Sequence, residues 1–519
     1  MRAGFAWHWP ERFNIAQACC DDWAAYNPDR VAITEITEDG ATDWTYGALK
    51  DASDRLASAF KAAGVVRGDR VAVLLSQSAA VAITHFAAMK LGAVALPLFT
   101  LFGEDALLYR LADSGASAVV TDAESLPKLL NIRAQLTDLN SIFCTTARPQ
   151  AKAFWTEIAE HSPLPEAIDT SAEDPAVMIY TSGTTGPPKG VLHAHRFLFG
   201  HLPCMELTHE GFPQPGDKGW TPADWAWIGG LMDMAMPCLY YGVPLVAHRM
   251  RKFETGAAYA LIAAHGIRNL FLPPTALKLM RGTPVPAGVN IRSISSGGES
   301  LGAEMLEWGK TALGAPINEL YGQTECNLCI TQAEGFMAVK AGTMGQALPG
   351  FDVAVFDDQG RACAPGEMGE ICIRKGAASM FLRYWNQPEK TAAKFRGDWL
   401  RTGDLGSQDE QGYFTFASRD DDVITSAGYR VGPSEIENCL MGDVDVVMAA
   451  AVGIPDPVRT EVIRAFVVLR DGATPDAARL IARVRSRISP HVAPRDIVFV
   501  ESLPMTATGK IMRKELRNI

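Results

Sequence analysis

Apolar residues recur with helical spacing near the start of the chain. Leu49, Leu56 and Phe60 lie on one face of a 3.6-residue repeat that runs through residues 45–63. Gly64 follows at a position where helices commonly end. The pattern therefore predicts an amphipathic helix over residues 45–63.

Short, continuously apolar runs then alternate with further helical stretches. The runs at 71–75 and 93–98 are separated by a helical stretch that ends near Leu91. Such runs are typical of strands that are buried on both faces of a sheet. A helix followed by a strand recurs at 104–121, and another apolar run lies at 265–272. This alternation predicts layered α/β subdomains built on parallel sheet.

The pattern changes after Trp399. Residues 401–416 indicate a turn and a hairpin, and the charged run at 419–422 indicates a solvated link. We therefore expect a large domain over residues 1–420 and a small domain over residues 421–519. The small domain has an α+β pattern, with strands predicted at 446–453, 465–469 and 497–501 and a helix at 477–488.

Length, composition and charge narrow the class of protein. A chain of 519 residues with 48% apolar and 21% charged residues is expected to form two or more globular domains. Its net charge of -11 argues against a general binder of nucleic acid or of anionic membranes. No run approaches the ~18 apolar residues of a spanning helix, and the first residues lack the apolar core of a signal peptide. We expect a cytoplasmic protein with no nucleic-acid or membrane partner.

The ten cysteines are too few, in a chain of this length, to indicate a disulfide framework. Most lie in apolar surroundings, which is typical of small buried thiols. Cys326 and Cys329 have the C-x-x-C spacing of a zinc or redox pair, but no second pair accompanies them. A structural or pocket-lining role is therefore favoured over a metal or redox site.

Residues 180–191, YTSGTTGPPKGV, form a turn rich in glycine and hydroxyl groups that fits a polyphosphate. Glycines let backbone N–H groups approach phosphate oxygens, while hydroxyls and the Lys189 cation add further donors. A P-loop NTPase needs four residues between its first glycine and its Gly-Lys pair, and a Ser or Thr after the lysine. Here Pro188 precedes Lys189 and Gly190 follows it. The turn therefore indicates ATP binding by another class of enzyme.

Four further motifs follow in order along the chain. They are YGQTE (321–325), RTGD (401–404), GYRVGPSEIE (428–437) and PMTATGKI (504–511). With the turn at 180–191, they resemble the motif set of the adenylate-forming superfamily, and the closest likeness is to short- and medium-chain acyl-CoA synthetases. The resemblance spans most of the chain and implies a large α/β N-terminal domain of several subdomains and a small, mobile α+β C-terminal domain.

The resemblance also implies contacts with ATP and Mg²⁺. The turn at 180–191 would contact the β- and γ-phosphates, and Thr324 would contact the α-phosphate. Glu325 would bind the Mg²⁺ that bridges the phosphates. Asp404 would bind both ribose hydroxyls, with Arg419 near ribose or phosphate. The backbone of Gly298, Glu299 and Ser300 would lie along adenine, with Tyr321 stacked on its other face. An ordinary Gly-Gly-Glu turn stays open as the alternative for these adenine contacts. The other implied ATP contacts are Thr181, Ser182, Gly183, Thr184, Thr185, Lys189 and Gln323.

The small domain would supply groups for two successive reactions. By resemblance, Lys510 bridges the acyl carboxylate and the α-phosphate, a task that suits a flexible point charge between two anions. The family then rotates this domain, with Asp421 as the implied hinge. Gly428 would next bring backbone close to the thiol channel, and Arg430 and Arg485 would bind phosphates of CoA or of the nucleotide. A plain turn glycine remains the alternative for Gly428.

Three glycines bear on the choice of acid. Family members restricted to acetate carry a tryptophan just before Gln-Thr-Glu, where this chain has Gly322. Matching also places Gly229 and Gly297 on the wall of the acyl pocket, so volume alone leaves room for several carbons or a ring. The alternative is that Trp225 or another large side chain fills that space. The rest of the wall is mainly apolar and is implied to include Trp227 and Ile228.

The resemblance implies an AMP-forming acyl-CoA ligase, which converts a carboxylic acid, ATP and CoA into acyl-CoA, AMP and pyrophosphate. The acid would be medium-chain, branched or aromatic rather than acetate only. An adenylating enzyme with a carrier-protein or other acceptor, and a nucleotide-binding regulator without turnover, stay open as alternatives. The sequence leaves the physiological acid and the oligomeric state open, a homo-oligomer included.

Overall fold

The computed structural model describes residues 4–181, 187–298, 301–419, 422, 424–426, 429–456, 460–488, 492–506 and 510–519. Within these residues the strands form three sheets. The first two contain the strands up to Arg419, and the third contains those from Ile424 onward. The domain boundary expected at residue 420 stays a prediction.

The strands occur throughout the chain. In chain order they are β1 (Val31–Thr37), β2 (Gly40–Thr45), β3 (Arg70–Leu74), β4 (Val94–Pro97), β5 (Ala118–Thr121), β6 (Ser141–Cys144), β7 (Lys152–Ala153), β8 (Pro175–Thr181), β9 (Lys189–Ala194), β10 (Gly219–Trp220), β11 (Leu245–His248), β12 (Asn269–Phe271), β13 (Ser293–Gly297), β14 (Ile317–Gln323), β15 (Cys326–Thr331), β16 (Gly345–Ala347), β17 (Val353–Phe356), β18 (Gly369–Arg374), β19 (Arg383–Tyr384), β20 (Phe395–Arg396), β21 (Trp399–Gln408), β22 (Tyr413–Arg419), β23 (Ile424–Ser426), β24 (Tyr429–Val431), β25 (Val446–Asp456), β26 (Thr460–Leu469) and β27 (Asp496–Phe499).

The helices separate and cover these strands. They are α1 (Asp22–Tyr26), α2 (Tyr46–Ala62), α3 (Ala79–Lys90), α4 (Glu104–Ser114), α5 (Leu126–Ile132), α6 (Phe154–Glu160), α7 (Leu202–Thr208), α8 (Ile228–Gly230), α9 (Met236–Tyr241), α10 (Thr255–His265), α11 (Pro274–Arg281), α12 (Ala303–Trp308), α13 (Pro388–Ala393), α14 (Pro433–Met441), α15 (Ala477–Arg487) and α16 (Arg513–Leu516). Short π-helical turns lie at Gln17–Asp21, Leu231–Ala235 and Gly309–Leu313, and 3₁₀ turns at Arg133–Gln135 and His195–Gly200.

The amphipathic helix predicted at 45–63 is confirmed as α2. The Thr45 side chain caps it by accepting the Ala48 N–H at 3.2 Å, which satisfies one of the donors that a helix N-terminus leaves unpaired. Leu49, Leu56 and Phe60 are all fully buried. Their spacing places them on the face that packs against α3, a helix that is buried on every side.

One sheet carries the α/β alternation seen in the sequence. Its order is β19-β9-β8-β4-β3-β5-β6-β7 over the described residues. Strand β3 pairs in parallel with β4 and β5, and β4 pairs in parallel with β8. The predicted parallel sheet is therefore confirmed. Strand β9 returns antiparallel to β8 and places Lys189 opposite Thr181.

A second, longer sheet carries most of the remaining large-domain strands. In the part of the chain that the structure describes, its order is β17-β18-β21-β22-β16-β15-β14-β13-β12-β10-β11-β1-β2, with β20 beside β21. Strands β12, β13 and β14 run parallel, so their carboxyl ends meet at one edge. Strands β14 and β15 form a hairpin, as do β21 and β22, and the second confirms the hairpin predicted at 401–416.

The third sheet has the order β24-β23-β26-β25 over the described residues, with β27 beside β26. The helix predicted at 477–488 is confirmed as α15. Two of the predicted strands are longer than expected, because β25 continues to Asp456 and β26 begins at Thr460, while β27 ends at Phe499, two residues early. The added positions include polar residues, which an apolar pattern does not mark as strand. None of the helices described here is long and apolar enough to cross a membrane.

Candidate active site

The β14–β15 hairpin places Thr324 and Glu325 at its turn. The Glu325 carbonyl accepts the Phe381 N–H at 2.8 Å, and its buried carboxylate accepts a short hydrogen bond from the Tyr384 hydroxyl. Sequence reasoning found Thr324 and Glu325 but missed Tyr384. The hairpin turn therefore lies against a chain segment that belongs to none of the five motifs.

Cations surround the Glu325 carboxylate and keep it ionised. Burial alone would raise the pKa of this carboxyl. The positive charge of Lys394 and the Tyr384 hydrogen bond, with a smaller contribution from Lys189, outweigh burial and hold the pKa below its ordinary value. An ionised carboxylate oxygen is the kind of ligand that Mg²⁺ prefers.

Lys189 begins β9, and its ammonium lies 4.6 Å from the centre of the Tyr384 ring. Burial lowers the pKa of Lys189, Glu325 partly restores it, and the neighbouring cations Lys394, Lys390 and Arg419 lower it further. The described part of the site thus brings the cations Lys189, Lys390, Lys394 and Arg419 near two buried carboxylates, those of Glu325 and Asp404. This excess of positive charge fits a polyphosphate and supports the predicted binding of ATP with Mg²⁺.

Asp404 lies on β21 directly opposite Arg419 on β22. One carboxylate oxygen lies 3.5 Å from the Arg419 guanidinium. The other accepts hydrogen bonds from the Tyr321 hydroxyl at 2.6 Å and from the Gln323 amide at 2.5 Å. The structure therefore joins three of the predicted ATP-binding side chains in one hydrogen-bonded group with Arg419 beside it.

Lys394 connects this group to Glu325. Its ammonium donates to the Gln323 side-chain oxygen at 3.4 Å and to the Thr402 carbonyl at 3.3 Å. It follows α13, outside the five motifs, so the sequence offered no signal for it beyond its charge. Among the described residues, the structure adds Tyr384, Lys394 and the nearby cation Lys390 to the predicted site.

The predicted adenine segment begins at the end of β13. Gly297 pairs with Leu320 of β14, and Gly298 follows with φ at +104°, a conformation that side-chain-bearing residues rarely adopt. The segment thus reaches the same sheet edge as Tyr321. The buried hydroxyl of Tyr321 donates to Asp404, and its stacking on adenine stays a prediction.

Neighbouring atoms fill the space beside all three pocket glycines. A Cβ on Gly229 would lie 2.8 Å from the Trp227 ring, and one on Gly297 would lie 2.2 Å from the Leu320 side chain. A Cβ on Gly322 would lie 2.3 Å from the Leu328 backbone nitrogen. We predicted open volume beside these glycines, and that prediction is wrong, because the atoms named here occupy the space. At Gly229 a large side chain fills it, as the alternative stated, but that side chain is Trp227 and not Trp225.

The remaining predicted residues stay predictions. Lys510 is exposed, and its N–H donates to the Thr506 hydroxyl at 3.1 Å. Ile228 begins α8 and is buried, Arg430 lies on β24, and Arg485 lies in the last turn of α15. The predicted residues outside the described part of the chain are Ser182, Gly183, Thr184, Thr185, Glu299, Ser300, Asp421 and Gly428.

The cysteine pair lies on the strand that follows Glu325. Cys326 and Cys329 are buried, and their sulfur atoms lie 3.6 Å from the Ser379 hydroxyl and 3.5 Å from the Tyr321 carbonyl. All ten cysteines are free thiols. Within the described residues, no three His, Cys, Asp or Glu side chains form a cluster that could hold a metal ion.

Comparisons with known proteins agree with this site. A family model described as AMP-binding enzyme matches residues 20–385, and one described as AMP-binding enzyme C-terminal domain matches residues 435–510. The mitochondrial acyl-coenzyme A synthetase ACSM2 of Rattus norvegicus is 33% identical over 527 residues, which cover 98% of this chain and 92% of the relative.

Two solved structures share the fold over nearly the whole chain. The anthranilate CoA ligase AuaEII, in complex with anthranoyl-AMP, superposes with a TM-score of 0.91 at 26% identity and 98% coverage of both chains. A benzoate CoA ligase from Burkholderia xenovorans LB400 has a TM-score of 0.87 at 30% identity, covering 97% of this chain and 100% of the other.

The chain therefore belongs to the AMP-binding enzymes of the adenylate-forming superfamily, as an AMP-forming acyl-CoA synthetase and hence an acid–thiol ligase. The predicted family, fold class and enzyme class are confirmed. Family membership also supports the predicted use of ATP.

Proposed function

We propose that this enzyme activates a medium-chain, branched or aromatic carboxylic acid with ATP and Mg²⁺, and then transfers the acyl group to CoA. The observation that carries the proposal is the buried, ionised Glu325 carboxylate set among the cations Lys189, Lys394 and Arg419. Two structural relatives are ligases for anthranilate and benzoate, which supports an aromatic acid among the candidates.

In the first reaction a carboxylate attacks the α-phosphate, so two anions must be held together. Thr324 and Lys510 would contact the reacting α-phosphate, and Lys189 would hold the outer phosphates. Asp404 would accept hydrogen bonds from the ribose hydroxyls. Mg²⁺, bound through Glu325, would neutralise phosphate charge as pyrophosphate leaves. The new bond joins the acid oxygen to phosphorus, and the bond to pyrophosphate breaks.

In the second reaction the thiol of CoA attacks the acyl carbon and AMP leaves. The proposed rotation about Asp421 would carry Lys510 away and bring Gly428 to the thiol channel. Arg430 and Arg485 would bind the phosphates of CoA. A glycine suits the channel because any Cβ would narrow it.

Support for an acid larger than acetate comes from the anthranilate and benzoate ligases among the relatives, because neighbouring atoms fill the space beside the three glycines of this chain. Trp227 is half-buried, and its ring centre lies 5.5 Å from that of Phe271. Each added methylene in an apolar wall contributes only about 1–3 kcal/mol of selectivity. We therefore expect a preferred acid within a range of accepted ones.

A panel of acids tests the proposal. Acetate, butyrate, hexanoate, octanoate, branched acids, benzoate and anthranilate are assayed for acid-dependent pyrophosphate exchange, and then for AMP release with CoA. We expect exchange and CoA-dependent AMP release with larger or aromatic acids, and neither from Glu325→Gln. Exchange without CoA-dependent release would indicate a carrier protein or another acceptor. Absence of exchange with every acid, or equal rates with acetate, would contradict the proposal.

We propose the cytoplasm as the compartment, because ten free thiols are typical of a reducing environment. Fractionation of the source cells tests this, and recovery of the protein in an oxidising compartment would contradict it.

A further inference from the structure

A short segment outside the five motifs joins the two halves of the site. Strand β19 pairs antiparallel with β9, the strand that begins with Lys189. Two residues before β19, Phe381 donates its N–H to the Glu325 carbonyl at 2.8 Å. The segment is therefore bonded both to the sheet that carries the phosphate-binding lysine and to the sheet that carries the Glu325 hairpin.

The Tyr384 side chain repeats this double connection. Its hydroxyl donates a short hydrogen bond to the Glu325 carboxylate, and its ring face lies 4.6 Å from the Lys189 ammonium. The side chain is almost fully buried, at 1% exposure. Burial, followed by the charge of Glu325, raises the pKa of Tyr384 well above its ordinary value, so the hydroxyl stays protonated and remains a donor.

Such contacts fix directions that the two charged groups would not hold alone. Lysine is a flexible point charge, and a cation over an aromatic face is restrained by the electrostatic attraction of the ring. A hydrogen bond to an ionised carboxylate is stronger than one between neutral groups. Both restraints on the site come from one side chain.

We propose that Tyr384 is a positioning residue for ATP and Mg²⁺, whose hydroxyl orients Glu325 and whose ring orients Lys189 before the nucleotide binds. The inference rests on the proposed adenylation chemistry. It gives the two contacts of Tyr384 different roles in binding the nucleotide. The hydroxyl acts on the metal ligand, and the ring acts on the lysine that meets the outer phosphates.

Two variants separate these roles. Tyr384→Phe keeps the ring and removes the hydroxyl, while Tyr384→Leu removes both. Isothermal titration calorimetry measures the affinity for a nonhydrolysable ATP analogue, without acid or CoA, across a Mg²⁺ titration and in EDTA. We expect Tyr384→Phe to weaken binding roughly 10- to 100-fold in Mg²⁺, the effect of losing a hydrogen bond to a charged group, and to match wild type in EDTA. Tyr384→Leu weakens binding in both conditions.

Tyr241→Phe is the matched control. The Tyr241 hydroxyl also donates to a carboxylate, that of Glu206 at 2.5 Å, on helices that carry none of the site residues. We expect this variant to bind the analogue like wild type at every Mg²⁺ concentration. Melting temperatures of all variants identify any that fail to fold.

A double-mutant cycle tests whether the hydroxyl acts through Glu325. In a Glu325→Gln background, we expect Tyr384→Phe to cause no further change in the Mg²⁺ dependence. We also expect Tyr384→Phe to leave thioester formation from a supplied acyl-adenylate intact. Unchanged Mg²⁺ dependence in Tyr384→Phe, or equal losses in Mg²⁺ and in EDTA that add to those of Glu325→Gln, would overturn the inference. The binding measurement contains no acid, so its outcome does not depend on the acid panel. A failed acid panel would reject the proposed function, and an unchanged Mg²⁺ dependence would reject only the role of Tyr384.

Discussion

The Gly322→Ala substitution tests why a glycine stands just before Gln323-Thr324-Glu325. Strand β15 bulges at this point, and Leu328 adopts φ of +54°, which is unusual for a residue with a side chain. A Cβ on Gly322 would lie 2.3 Å from the Leu328 nitrogen and 3.0 Å from the Asn327 carbonyl carbon. Ordinary Cβ contacts begin near 3.4 Å, so the bulge must move by roughly 1 Å to accept even one methyl group.

The clash is with backbone, which cannot rotate away as a flexible side chain can. Overpacking of this kind costs about 1–3 kcal/mol. Because the bulge follows Glu325 by only two residues, we expect Gly322→Ala both to lower the melting temperature and to reduce pyrophosphate exchange at every acid. Differential scanning calorimetry and the exchange assay measure the two effects.

Gly256→Ala is the control for this substitution. Gly256 lies within α10, and a Cβ there would meet no atom within 4 Å. We expect a gain of about 0.5–1 kcal/mol, because glycine is a poor helix former. If Gly322→Ala instead kept the stability and exchange rate of wild type, the bulge would be adjustable and the argument from backbone contact would be refuted.

Four further predictions test other parts of the molecule, and the first two separate the half-reactions. Lys510→Ala should abolish adenylate formation yet spare thioester formation from supplied acyl-adenylate, and equal loss of both would count against its role. Gly428→Leu should do the reverse, with exchange surviving and no thioester product. Lys90→Met should lower the free energy of unfolding by about 3–5 kcal/mol, because Lys90 is fully buried between two carboxylates. Lys50→Met, which removes a half-exposed cation from one of the same carboxylates, should cost under about 1 kcal/mol in the same denaturant titration. Burial lowers the pKa of His85 to about 4, so between pH 6.5 and 4 the unfolded chain binds a proton that the folded chain does not, and stability should fall over that range. His85→Gln should weaken this fall, measured as the melting temperature against pH. A pH profile identical to that of wild type would contradict the assignment.

Much of the fold could be predicted because local patterns agree with tertiary packing. The spacing of Leu49, Leu56 and Phe60 predicted α2, and those residues are the ones that pack inward. Strand ends were less predictable. Strand β26 begins at Thr460, among polar positions, because pairing with β25 and not apolar content extends it.

The site was predictable where a motif carries the chemistry. Glu325, Asp404 and Lys189 could be predicted as site residues because glycine turns and charged residues stand together in recognisable order. Tyr384 and Lys394 could not, because contacts between distant segments select them. The pocket glycines show the converse error. A glycine in the sequence does not show that the fold leaves a cavity there, because Trp227 and other neighbouring residues pack against the glycine backbone.

The charges around Glu325 explain why these separate contacts matter together. Lys189 has a lowered pKa because burial and three nearby cations disfavour its charge, and Glu325 offsets only part of that effect. The free site therefore holds like charges close together, which is unfavourable in a partly buried environment. A polyphosphate would relieve this repulsion, provided that Lys189 and Glu325 already point at it. Tyr384 holds the Lys189 and Glu325 side chains in place together, so they do not relieve the repulsion by turning toward solvent. The repulsion is relieved when the nucleotide binds, and it therefore favours binding.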